Sequence, residues 1–241
     1  MVMDITSHTH HISQQYNIEL DTIRTHLSEM GGMAQRQVND AIQSLIDADI
    51  NKAEQVVRGD TKVNSMEMRI DEECVRILAR RQPAASDLRL VIAVTKAITD
   101  LERVGDEASK IARQAIALHK DGAAPRGYIE VRHIGGLVST MLQDALDAFA
   151  RLDMNMALNV VQTDRTVDME YSTAMRELVT FMIEDPRSIT RVLNIIWSLR
   201  ALERIGDHAR NLAQYTIYLV KGEDVRHADF EAIEENINQP E

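Results

Sequence analysis

Cysteine is all but absent from the chain. Cys74 is the only one among 241 residues, which rules out an intramolecular disulfide and a cysteine-ligated zinc site and fits a reducing compartment. Proline (4), glycine (10) and aromatics (4%) are equally scarce. A fold of many short strands needs turn formers and strand formers in quantity, so the 44% of apolar residues, rich in Ala, Leu, Ile and Met, point to an all-helical protein. Nowhere do 18 apolar residues run together without a charge, and Met1 to His11 lacks the apolar stretch of a signal peptide. A cytoplasmic protein that does not span a membrane is expected. A basic stripe is missing too. The net charge is −11, and Gly222 to Glu241 supplies much of it with seven acidic residues against Arg226, so nucleic acid is not an expected partner. His8, His10 and His11 are irregularly spaced and read as a fraying terminus rather than a metal tract. No Walker-type glycine loop, His-Glu-x-x-His or Gly-x-Ser-x-Gly occurs. With no catalytic motif in view, a non-enzymatic binding module is the expectation.

What the chain does have is a duplication. Leu101-Glu102-Arg103-Val104-Gly105-Asp106 returns as Leu202-Glu203-Arg204-Ile205-Gly206-Asp207, 101 positions later. Gly31-Gly32 returns as Gly135-Gly136, Asp49 as Asp153 and Asp60 as Asp164, each 104 positions later. A glycine costs about 1 kcal/mol inside a helix, so a repeated pair predicts close helix packing or a bend.

Apolar positions Leu20, Ile23, Leu27, Met30, Ala34, Val38, Ala41 and Leu45 advance in steps of three and four, the period of an amphipathic helix over residues 12–49. Further helices are predicted over 51–81, 86–120 (capped by Ser86), 128–152, 155–184 and 188–221, with breaks at Gln82-Pro83 and Asp185-Pro186. Short connections make neighbours antiparallel. The predicted architecture is two tandem three-helix bundles, residues 1–121 and 128–221, joined by a linker over 122–127 and followed by an acidic, mobile tail over 222–241.

Residues four apart on a helix share a face, so Glu102 with Asp106 and Glu203 with Asp207 each place two carboxylates one turn apart, facing inward. In the preceding helices Asp60 and Asn64, and Asp164 and Asp168, interrupt the apolar stripe with the same spacing. Like charges gathered in a low dielectric need a positive partner. One solution is interhelical salt bridges from Arg103 and Arg204, or from Lys62 and Arg165, although Arg103 is adjacent to Glu102 and shares its face poorly. The other is a metal. All eight candidate ligands, Asp60, Asn64, Glu102, Asp106, Asp164, Asp168, Glu203 and Asp207, offer oxygen, which suits iron, Mn, Mg or Ca more than zinc, and bridging carboxylates could hold more than one ion. A di-iron redox site wants Glu-x-x-His from two helices, and only Glu130 with His133 provides one.

The paired Glu-Arg-x-Gly-Asp segments, the run Arg80-Arg81-Gln82-Pro83-Ala84-Ala85-Ser86-Asp87-Leu88-Arg89 and the run Ala145-Leu146-Asp147-Ala148-Phe149 resemble the PhoU family of bacterial phosphate-signalling regulators over essentially the whole chain except the tail. The resemblance implies a cytoplasmic negative regulator that couples a phosphate ABC transporter to a membrane sensor histidine kinase. It also implies Glu/Asp-x-x-x-Asp metal motifs, matched here by Glu102–Asp106, Glu203–Asp207 and Asp164–Asp168. Asp60–Asn64 departs from them, which puts equal occupancy of the two sites in question. The rival readings are a metal-dependent hydrolase or oxidase using the same carboxylates, and a metal-free scaffold. Long helices with Met-rich apolar faces (12 Met) leave surface that a homodimer would cover.

Overall fold

A computed structural model describes residues 5–122, 124 and 127–225, with side chains described from residue 14 onward. Six long helices carry the fold: α1 (Ile5–Ile46), α2 (Ile50–Arg81), α3 (Ala85–Asp121), α4 (Tyr128–Arg151), α5 (Met154–Glu184) and α6 (Ile189–Lys221), with a 3-10 turn at Pro186–Ser188 before α6. Among the described residues there is no strand. Helices α1 to α3 form one three-helix bundle and α4 to α6 the other; α3 lies along α6 and α1 along α4 where the bundles meet. The tail expected to be mobile lies mostly in residues 226–241, outside those described.

All eight stripe positions of α1 from Leu20 to Leu45 are buried, as a 3.6-residue period requires of a helix packed along its length. The duplicated aspartates are helix caps. Asp49 Oδ1 accepts from Lys52 N at 3.0 Å and Asp153 Oδ1 from Met156 N at 3.0 Å, each satisfying an orphan donor of the first turn. Ser86, expected to cap α3, instead lies inside it. The capping position is Ala84, which offers no side-chain bond, because the chain leaves α2 through Gln82 in a left-handed conformation and re-enters a helix within three residues.

Helix α1 continues unbroken through Gly31-Gly32, and the first glycine of each repeated pair serves packing. A Cβ on Gly31 would collide with the Leu146 side chain, and one on Gly135 would come within 3.1 Å of Ile42 Cδ1. Ile42 and Leu146 are themselves counterparts in the duplication. The contact is therefore repeated about an internal two-fold relation, and Gln35 Nε2 donates to its own counterpart, the Ser139 carbonyl, at 2.9 Å. At the other seam Asp100 of α3, buried, accepts from three groups of α6: His208 Nδ1 (2.7 Å), Asn211 Nδ2 (3.0 Å) and Tyr215 Oη (2.7 Å). Lys96 lies over the Tyr215 and Tyr218 rings at 5.8 and 5.7 Å. The two bundles are thus tied by buried polar bonds as well as by apolar packing.

Candidate metal centres

In each bundle the last helix presents the Glu-Arg-x-Gly-Asp turn to the middle helix. Gly105 and Gly206 are fully buried, and the reason for glycine is visible in what surrounds them. A Cβ on Gly105 would stand 3.2 Å from Gln37 Oε1, 3.4 Å from Asp60 Oδ1 and 3.5 Å from Val63 Cγ1. On Gly206 it would stand 3.7 Å from Asp164 Oδ1 and from Val167 Cγ1. The bare backbone lets the carboxylate of α2 or α5 lie against the last helix, between its Glu and its Asp.

The first cluster thus gathers Asp60 and Asn64 of α2 with Glu102 and Asp106 of α3. Two members of its surroundings were missed as site residues in the sequence. Gln37 enters from α1, buried, and donates Nε2 to the Val56 carbonyl at 3.4 Å, which aims Oε1 at Gly105. Glu67 lies beside Glu102 and Asp106, and burial pushes its carboxyl up, with Arg103 opposing. Burial likewise raises Glu102, with the neighbouring Asp106 adding to the shift. Arg103 does reach both carboxylates of its own helix, at 3.5 Å from Glu102 Oε2 and 3.5 Å from Asp106 Oδ2, at the outer edge of hydrogen-bond range and from the solvent side. Gln37 Oε1, Asp60 Oδ1 and Asn64 Oδ1 are buried acceptors with no donor.

The second cluster gathers Asp164 and Asp168 of α5 with Glu203 and Asp207 of α6, and it holds its own cations. Arg210 Nη1 pairs with Asp164 Oδ2, while Nη2 lies 3.0 Å from Asp207 Oδ1. Arg200 Nη1 holds Glu203 Oε1 at 2.8 Å. Of the expected neutralisers, Arg204 acts elsewhere, reaching across the seam to Glu107 at 3.6 Å. Burial wins over these arginines in setting protonation. It pushes Asp164 up to about 6 against Arg210, and it raises Asp168 and Glu203, with Asp207 reinforcing both.

Carboxylates gathered but pulled toward arginines do not converge: among the described residues no three His, Cys, Asp or Glu side chains form a group that could hold a metal as they stand. The donor chemistry differs between the clusters nonetheless. In the first, three buried oxygen acceptors lack a donor, two of them, Gln37 Oε1 and Asp60 Oδ1, lying against Gly105, which is the environment a hard cation with oxygen ligands requires. In the second the one buried oxygen without a partner among the four residues is Glu203 Oε2, and a guanidinium stands among the carboxylates. Glu130 and His133 take no part, His133 Nε2 lying 3.8 Å from Glu170.

Comparison with known proteins agrees with the duplication. The PhoU domain matches twice, over residues 27–115 and 131–216. A phosphate-specific transport system accessory protein PhoU homolog from Pseudomonas aeruginosa is 64% identical over 229 residues, covering 95% of each chain. The Escherichia coli K12 accessory protein PhoU is 45% identical over 225 residues, covering 93% of each. The crystal structure of the Pseudomonas aeruginosa PhoU superimposes with a TM-score of 0.85, covering 86% of this chain and 100% of that one. The phosphate transport system regulatory protein PhoU from Streptococcus pneumoniae, 28% identical, gives 0.80 over 87% of this chain and 99% of that one.

Proposed function

This chain belongs to the PhoU family, and on that premise we propose that it is a non-enzymatic, cytoplasmic negative regulator of phosphate uptake and phosphate-starvation signalling. The observation that carries the reading is near full-length similarity to accessory proteins of the phosphate-specific transport system. An accessory protein of a transporter must meet it at the membrane, and no described helix is long and apolar enough to cross one. In this reading the chain docks from the cytoplasmic face, against the phosphate ABC transporter and a sensor histidine kinase.

Metal belongs to the same reading. Asp60, Asn64, Glu102 and Asp106 would hold a divalent or trivalent ion with hard oxygen-ligand preference, iron, Mn, Mg or Ca, and Asp164, Asp168, Glu203 and Asp207 would offer a second carboxylate set. The ion would supply the positive charge that the buried acceptors lack and draw α2 and α3 together. Self-association is the third element. Ile189, Leu193 and Trp197 form an exposed stripe at four-residue spacing on α6, and Val179 and Ile183 of α5 are exposed as well; a second copy of the chain would cover such a surface.

Deleting the gene should switch on phosphate-starvation expression in phosphate-rich medium, read with a reporter fused to a starvation promoter. Unchanged expression would overturn the regulatory reading. Sedimentation should find a dimer at micromolar concentration.

A further inference from the structure

We propose that the two duplicated carboxylate clusters are unequal: the first is the high-affinity cation site, completed by Gln37 of α1, whereas in the second the guanidinium of Arg210 stands where a cation would bind. The proposal rests on the metal reading above and goes beyond it, because the Asn64 substitution taken alone would make the first cluster, not the second, the weaker site.

The counterparts make the case position by position. Arg210, paired with Asp164 and Asp207, corresponds to Ser109, which is fully buried with its Oγ unpartnered. Arg200, holding Glu203, corresponds to Thr99, whose hydroxyl bonds its own helix at the Thr95 carbonyl. Both internal cations of the second cluster are therefore short hydroxyl residues in the first. Asp168 is correspondingly Asn64, so the second cluster has one more carboxylate and one more arginine than the first, whose single arginine, Arg103, sits at the rim. Counting the duplicated ligand positions, Asp60, Glu102 and Asp106 face only Arg103 at the rim, while four carboxylates face Arg200 and Arg210. Net charge does not separate the clusters. What separates them is whether a fixed cation stands inside.

Gln37 is the independent sign of a ligand. It is more than nine-tenths buried, at 8% exposure, and its Oε1 has no donor although it lies against Gly105 together with Asp60 Oδ1. Burying an acceptor without a partner is costly, and its counterpart Met141 shows that an apolar residue fits the position in the other bundle. The amide oxygens of Gln37 and Asn64 and the carboxylate of Asp60, brought from α1 and α2 to the side of the Glu and Asp of α3, would supply an all-oxygen donor set of the kind that hard divalent cations prefer. In the second bundle an incoming cation must displace Arg210 from Asp164 and Asp207 before it can use them.

The test is calorimetric titration of Mn²⁺ into the full chain, purified without a metal column and stripped with chelator, with circular dichroism to confirm that each variant is folded. The expected result is one tight equivalent in the unsubstituted protein, lost in Asp60→Asn and weakened roughly tenfold or more in Gln37→Met. Arg210→Ser, which copies the first cluster into the second, should add a second equivalent within about tenfold of the first, since the competing guanidinium is gone. The double variant Arg200→Thr with Arg210→Ser should do the same. Two equivalents of equal affinity in the unsubstituted chain, or one that survives Asp60→Asn and disappears in Asp164→Asn, would overturn the inequality while leaving metal binding intact. No Mn²⁺ binding by any variant, Arg210→Ser included, would overturn the metal reading along with it.

Discussion

Asp100 is the residue on which the seam between the bundles most depends. Its carboxylate is buried and accepts from His208, Asn211 and Tyr215, all on α6 and all in the other half of the chain. Hydrogen bonds to a charged group contribute about 1.5–3 kcal/mol each. Asp100→Ala would forfeit all three, among them the bond from the Tyr215 hydroxyl, on a residue only 7% exposed. It would also relieve the cost of keeping the carboxylate away from water, which offsets part of the loss. Removing one member of a buried charged network typically costs about 3–5 kcal/mol, and with that offset we place Asp100→Ala near 3 kcal/mol. At this chain length 1 kcal/mol moves Tm by roughly 2–4 °C, so a fall of roughly 6–12 °C is expected by calorimetry at pH 7. Asp100→Asn keeps an acceptor for Tyr215 but turns an NH₂ toward another donor, and it should lose about half as much. A loss below about 1 kcal/mol for Asp100→Ala would refute the claim that this network holds the bundles together.

Two further outcomes follow from the packing and the charge. Gly127→Ala should destabilise by about 2–4 kcal/mol, because Gly127 has φ +105 and a Cβ there meets Ile195, whereas Gly136→Ala, with open space around it, should stabilise α4 by up to about 1 kcal/mol; chemical denaturation checks both. With chelator present, Asp164 should make stability rise as pH falls. Its folded pKa of about 6 lies above the ordinary value of 3.8, so the proton held only by the folded chain stabilises it fully below about pH 4, and that contribution, about 3 kcal/mol, is lost as pH rises through 6. Glu102, Asp168, Glu203 and Glu67 act in the same direction, while Glu19, lowered by its bond to Arg81, acts in the opposite one. Melting curves from pH 4 to 7 should therefore have a flatter slope in Asp164→Asn, and identical slopes would contradict the burial of that carboxylate.

Much of this structure was legible because helical period and duplication are both local signals. The α1 stripe from Leu20 to Leu45 and the Asp49 and Asp153 turns lie where spacing puts them. Ser86 was misplaced because a left-handed exit at Gln82, which residue identity does not announce, sets where α3 begins. Within the candidate centres the carboxylates were readable and the cations were not. Arg200 and Arg210 stand three residues from Glu203 and Asp207 on the same helix, a spacing as visible as the carboxylates' own, yet the adjacent Arg204 drew attention first. Comparing the copies residue by residue would have exposed Ser109 against Arg210 and Thr99 against Arg200. Gln37 could not be found that way, since its bearing on Gly105 depends on how α1 crosses α3.

The most direct test joins the first cluster to regulation. A strain lacking the gene is complemented with the unsubstituted chain, with Asp60→Asn plus Glu102→Gln, or with Asp164→Asn plus Glu203→Gln, and starvation-promoter activity is measured in phosphate-rich medium at matched protein levels. If a cation in the first bundle sets the regulatory state, the Asp60 and Glu102 variant should accumulate as a folded protein yet fail to restore repression, with the second-bundle variant retaining more of it. Full repression by the Asp60 and Glu102 variant would contradict a regulatory role for that cluster.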